Sequence, residues 1–98
     1  MVKKIIWTQK AKKELIEILE YWNNRNKSTR FSVKLNKLVE EQINLMSEFP
    51  NIARATDIPN VNVKVIHKYL LYYEVVDNVL YILTFRHGSK NPDTLKIR

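Results

Sequence analysis

The chain reads as an α+β fold of order β-α-α-β-β-β, and three features of its 98 residues point there. Apolar side chains recur at three- and four-residue spacing through the first half, the period of an amphipathic helix. Through the second half they alternate or run almost unbroken, the habit of strands. Between the halves stands Pro50, which lacks an amide hydrogen and disfavours helix at the residue before it.

The elements follow in order. Lys3-Lys4-Ile5-Ile6-Trp7 is a short strand, and Thr8 suits the cap of a helix because its hydroxyl can accept a bond from a first-turn amide. Ala11, Leu15, Ile18, Leu19 and Trp22 then form one apolar stripe, which ends in the polar run Asn23-Asn24-Arg25-Asn26-Lys27. Ser28 or Thr29 caps a second helix, whose stripe is Phe31, Leu35, Leu38, Gln42 and Leu45, widened by Val39, Ile43 and Met46. Two helices joined by so short a polar stretch make an antiparallel hairpin.

Ile52 to Ile58 is irregular or a weak edge strand, interrupted by Pro59. Val61, Val63 and Val65 alternate with Asn62 and Lys64 as a strand with one apolar face. Tyr69 to Val76 is apolar on both faces, as a central strand is, and Asp77-Asn78 is a two-residue turn into a last strand, Val79 to Phe85. Beyond it Arg86-His87-Gly88-Ser89-Lys90-Asn91-Pro92 is polar and basic. The helical hairpin must bury its stripe, and one face of a small twisted antiparallel sheet is the only surface large enough, leaving the other face open.

Bulk composition narrows the function. No linker or repeat divides residues 1–98, so a single domain is expected. No stretch approaches the roughly 18 apolar residues of a membrane span. The basic N-terminus leads into only three apolar residues, too few for a signal-peptide core, so no membrane association and a cytoplasmic location are expected. A net charge of +7 implies an anionic partner such as nucleic acid, the ribosome or an acidic protein. The excess is spread along the chain: ten basic and six acidic residues in 1–48, seven and four in 49–98.

The chain has no Gly-rich phosphate loop, no cysteine and no spaced metal-ligand cluster; His67 and His87 alone make no metal site, and no cofactor is expected. What remains is a set of cations and imidazoles at strand ends. Alternation puts Lys64 and Lys68 on one face and His67 on the other, while Arg86 and His87 leave the last strand with Lys90 just beyond. Arg86 and His87 are the candidate catalytic residues, and Lys64, Lys68 and Lys90 the candidate RNA- or phosphate-binding ones. Such a set can hold phosphate and move a proton, which is what metal-free RNA cleavage requires. Each has a plainer alternative, as a solvated strand-end side chain or an edge charge that discourages aggregation.

Two segments carry a resemblance. Ile6-Trp7-Thr8 followed by Ala11 to Ile18, and Tyr69 to Val76, Asp77-Asn78, Val79 to Phe85 with Arg86-His87-Gly88, resemble the opening and the paired last strands of toxins of the RelE/ParE superfamily. The resemblance implies a helical hairpin on a twisted antiparallel sheet, a cognate antitoxin that wraps the toxin, and a toxin–antitoxin hetero-oligomer. It also implies one of two targets, since fold does not choose between them. RelE-like and YoeB-like branches cut ribosome-bound mRNA without metal, whereas the ParE-like branch poisons DNA gyrase. The nuclease branches carry an arginine in the penultimate strand, and Leu70 occupies that place here. A third alternative is an inactive remnant that only binds its antitoxin.

Overall fold

The computed structural model describes residues 2–90 together with Leu95 and Ile97. The element order is β1 (Lys4–Trp7), α1 (Gln9–Asn26), α2 (Arg30–Glu48), β2 (Arg54–Ala55), β3 (Val61–Ile66), β4 (Tyr69–Val76) and β5 (Val79–His87). The five strands make one sheet in the order β1-β5-β4-β3-β2. It is antiparallel except at one edge, where β1 runs parallel to β5 from Lys4↔Val79 to Trp7↔Ile82. That parallel pair needs a crossover connection, and the helical hairpin supplies it. Asn91 and Pro92, the end of the expected basic tail, lie outside the described residues.

Thr8 shows how local chemistry sets long-range geometry. Its Oγ1 accepts from the Ala11 amide at 3.2 Å, capping α1, and donates to the Ile82 carbonyl at 2.9 Å. One hydroxyl therefore starts the helix and ties that start to β5. At the other end α1 stops on Lys27, which adopts left-handed backbone (φ 53, ψ 33), a conformation glycine usually supplies. The second helix begins after Thr29, whose side chain makes no cap bond; Ser28 Oγ accepts from Arg30 N instead.

The core lies between the helices and one sheet face. Ala11, Leu35, Val39, Ile43 and Met46 pack against Ile66, Tyr69, Leu71, Tyr73, Leu80, Ile82 and Phe85. The buried line of α2 is therefore rotated from the expected stripe. Leu35, Val39, Ile43 and Met46 form its centre, Phe31 and Leu38 flank it, and Leu45 is exposed. Gln42, the polar member of that stripe, has a buried Oε1 with no hydrogen-bond partner among the described residues.

Register decides which residues lie under the helices. The rows on the helix side are Ile66–Tyr69–His87, Lys64–Leu71–Phe85 and Asn62–Tyr73–Ile82. On the far side stand Val65–Leu70–Arg86, Val63–Tyr72–Thr84 and Val61–Glu74–Tyr81. The valine face of β3 thus points away from the helices, because the larger Tyr69, Leu71 and Tyr73 of β4 take the core side. The far face is not open throughout: Val61, Glu74, Thr84 and Arg86 are buried there, while Val65 is 64% exposed.

The turn into β5 is as expected. Asp77 and Asn78 both have positive φ, 51 and 67, the signature of a type I′ turn, which matches the right-handed twist of the strands it joins. A register shift at Tyr72/Tyr73 leaves Leu83 as an extra residue on β5. The pairing consequently continues to Leu70↔Arg86 and Tyr69↔His87. Arg86 and His87 belong to the last strand and do not leave it. Conversely, β3 ends at Ile66, so Lys68 lies in the turn with His67 (φ 57), and the strand alternation expected for that pair does not reach it.

Two changes test these local readings. Lys27→Gly removes the side-chain clash of the left-handed position, and a gain of about 0.5–1 kcal/mol is expected in a thermal melt. Tyr73 Oη donates to the Pro50 carbonyl at 2.8 Å. Burial pushes its pKa above the ordinary 10.0, a backbone hydrogen bond at Ala53 acting the other way. The unfolded chain ionises this tyrosine first, so its contribution is full below about pH 10 and is lost as pH rises through the higher folded pKa. Tyr73→Phe should cost about 1 kcal/mol at neutral pH and make the alkaline decline shallower, read from urea melts.

Candidate functional site

A cleft of about 530 Å³ lies between α1 and the C-terminal part of β5. Its existence follows from unequal lengths. Pairing with β1 covers the outer edge of β5 only as far as Ile82, and beyond that point α1 lies alongside instead. Glu14, Glu17, Ile18, Tyr21, Trp22 and Arg25 line the helical wall. Their spacing of three and four residues places them on one helix face. Tyr69, Phe85, Arg86 and His87 line the opposite wall, and Lys68 and Lys90 stand at the mouth.

Three contacts organise this cleft. Glu14 Oε1 accepts from Thr84 Oγ1 at 2.7 Å and from the Phe85 amide at 3.3 Å, so a helix carboxylate takes the place of a neighbouring strand. Trp22 Nε1 donates to Tyr69 Oη at 2.6 Å, which locks both rings. Trp22 also packs against Tyr21 (5.2 Å between centroids) and Phe31 (4.7 Å), and Tyr69 against Phe85 (5.2 Å) and His87 (5.4 Å). The result is a continuous aromatic floor.

His87 Nδ1 accepts from the Ser89 amide at 3.0 Å. Ser89 Oγ also lies 2.7 Å from Nδ1, so Ser89 occupies that nitrogen and Nε2 is the one left for a ligand. The strand runs straight into a tight turn: Gly88 N donates to the Lys68 carbonyl at 2.9 Å and Lys90 N to the His87 carbonyl at 3.2 Å. These two bonds bring Lys68 and Lys90 beside His87. No hydrogen bond or ion pair with a described residue engages the Arg25, Lys68 or Lys90 side chains.

Of the five residues singled out from sequence, Lys68, Arg86, His87 and Lys90 line this cleft. Lys64 does not; it sits two strands away in the row of Leu71 and Phe85. Arg86 and His87, neighbours on one strand, alternate to opposite sheet faces, with Arg86 7% exposed. Glu14, Glu17, Tyr21, Trp22 and Arg25 were missed as site residues. A signal was present in the four-residue spacing Glu17, Tyr21, Arg25, but only the helix position relative to β5 shows that this face borders a cleft. Among the described residues no group of histidines, aspartates and glutamates is arranged to hold a metal ion, and no helix is long and apolar enough to cross a membrane.

Glu14→Ala strips the Thr84 hydroxyl and the Phe85 amide of their partner, and a loss of about 1–3 kcal/mol is expected in urea unfolding. Glu14→Gln keeps an acceptor oxygen and should lose clearly less; equal losses would refute the bridging role.

Comparison with known proteins agrees with this architecture. The family model of the ParE toxin of type II toxin-antitoxin system, parDE, matches residues 5–92. Among solved structures the chain is similar to the chromosomal ParDE TA system from P. aeruginosa, with a TM-score of 0.76 and 19% identity over 89% of this chain and 96% of that one. At that identity the likeness speaks for the fold. No curated protein sequence matches the chain. The family match runs from β1 through both helices and the whole of β5, and on it the chain belongs to the ParE toxin family of type II toxin–antitoxin systems.

Proposed function

We propose that this chain inhibits growth as the toxin of a two-protein module, gripping DNA gyrase as a protein target without cutting RNA, and that a cognate antitoxin neutralises it in a hetero-oligomer. The observation that carries the choice of mechanism is the far-face row Val65–Leu70–Arg86. A leucine occupies the position where the nuclease branches of the superfamily carry a phosphate-binding arginine, with valines and Tyr72 beside it. Phosphodiester cleavage without metal needs a base, an acid and cations converging within hydrogen-bond reach of one phosphate. Although both border the cleft, Arg86 and His87 start from opposite faces of β5 with Arg86 buried, and Lys64 stands in a different row, outside the cleft.

The net charge of +7 fits either target, since gyrase works on DNA and an antitoxin segment can be acidic. In this reading Lys68 and Lys90 are target-contacting cations and not parts of a catalytic centre. Both are exposed at the mouth of the cleft. Binding by exposed cations weakens with salt, as screening requires.

The test is a pair of assays on the same purified chain. With gyrase and plasmid DNA, accumulation of the cleaved complex is expected, and an SOS response in cells. On ribosome-bound message, primer extension should show no new ends. Ribosome-dependent cuts that vanish in His87→Ala, together with normal gyrase activity at saturating toxin, would overturn the proposal. Undisturbed growth on induction would instead identify a remnant that has kept only antitoxin binding.

A further inference from the structure

The cleft between α1 and β5 has a chemical polarity that protein docking does not require. Glu17, Tyr21 and Arg25 occupy successive turns on one face of α1, four residues apart, so the ladder from carboxylate to cation spans about 12 Å at 1.5 Å per residue. Trp22, three residues before Arg25, hydrogen-bonds Tyr69, the strand partner of His87, so Lys68, Lys90 and His87 line the cationic end from the sheet side. At its middle lies the aromatic surface of Tyr21, 54% exposed, backed edge-on by the fixed ring of Trp22. At its far end Glu17 has no hydrogen bond or ion pair with a described residue, while Glu14 is already occupied by Thr84 and Phe85.

A cluster of cations, a stacking surface next to it and a carboxylate one turn further on match, in order, a phosphate, a base and the amino edge of that base. The geometry points to a nucleoside-phosphate site in this cleft, with guanine the best-fitting base. The phosphate is held by Arg25, Lys68, Lys90 and His87, the base stacks on Tyr21, and Glu17 accepts from the guanine amino and ring N–H groups. Stacking accepts any base, whereas a carboxylate selects one that presents adjacent donors. The phosphate contacts make the binding salt-sensitive. The site shares Lys68 and Lys90 with the gyrase reading but does not depend on it, because the row Val65–Leu70–Arg86 that decides that reading contributes only Arg86 to the cleft. Binding measured without gyrase tests the site by itself.

The experiment is calorimetric or fluorescence titration of the full chain, without gyrase or ribosomes, using four probes: guanosine monophosphate, adenosine monophosphate, inorganic phosphate and a single-stranded guanine-rich pentanucleotide. Saturable binding of guanosine monophosphate is expected, with adenosine monophosphate and phosphate clearly weaker. Tyr21→Ala and Lys68→Ala should each weaken it roughly tenfold, as loss of one stacked base or one phosphate contact does. Tyr21→Phe should keep it, and Glu17→Gln should erase the preference for guanine. All three positions are exposed, so circular dichroism should report an intact fold. Tighter binding of the pentanucleotide than of the mononucleotide would identify a strand as the source of the nucleotide; equal binding would identify the free nucleotide. The inference is overturned if no probe saturates, or if the exposed control Lys37→Ala, distant on α2, weakens binding as much as Lys68→Ala does.

Discussion

The type I′ turn at Asp77-Asn78 sets β4 against β5, and most of the functional geometry is measured from that hairpin. A two-residue turn leaves one register available. The irregularity at Tyr72/Tyr73 then adds one residue to β5, and this extra residue changes the faces of all that follow. Leu80 and Ile82 lie under the helices on one side of it, Phe85 and His87 on the other. Without the added residue Arg86 would take the core side and Phe85 the far one. A buried phenylalanine in the core and a histidine at the cleft therefore both depend on a single unpaired position.

The same hairpin anchors the helices. Thr8 hydrogen-bonds to Ile82 at the point where β1 ends, and Glu14 reaches Thr84 and Phe85 two residues further along. An exposed strand edge is a template for unwanted pairing. Here a hydroxyl and a carboxylate from α1 occupy part of that edge, which aligns the helix with the strand. A protein with a single glycine has to build its turns from other residues, and Lys27, Asn60, His67, Asp77 and Asn78 all take left-handed backbone. Asparagine, aspartate and histidine bear that conformation better than most, which is consistent with their use at four of the five positions.

The charge distribution gains meaning only in three dimensions. Seventeen basic residues are spread evenly along the chain, and no run of them stands out. Folding draws Arg25, from the end of a helix, to Lys68, from a hairpin turn, and Lys90, from beyond the last strand. Residues 65 positions apart in sequence are assembled by the packing of α1 on β5. Meanwhile Lys64, which lies between two apolar neighbours and looks equivalent to Lys68, is carried into another row.

The order of elements, the helix caps at Thr8 and after Ser28, the Asp77-Asn78 turn and the superfamily resemblance were all legible in the sequence, because each rests on spacing within a few residues or on one local hydrogen bond. The parallel pairing of β1, the far-side placement of the β3 valines, the extension of β5 through His87 and the cleft itself were not. These depend on register between strands, where a shift of one residue exchanges the two faces, and register is chosen by the fit of Tyr69, Leu71, Tyr73 and Phe85 beneath the helices. Sequence determined which residues were available for chemistry; the tertiary packing decided which of them meet, since alternation along a strand states only that neighbours diverge and not which face looks onto a helix.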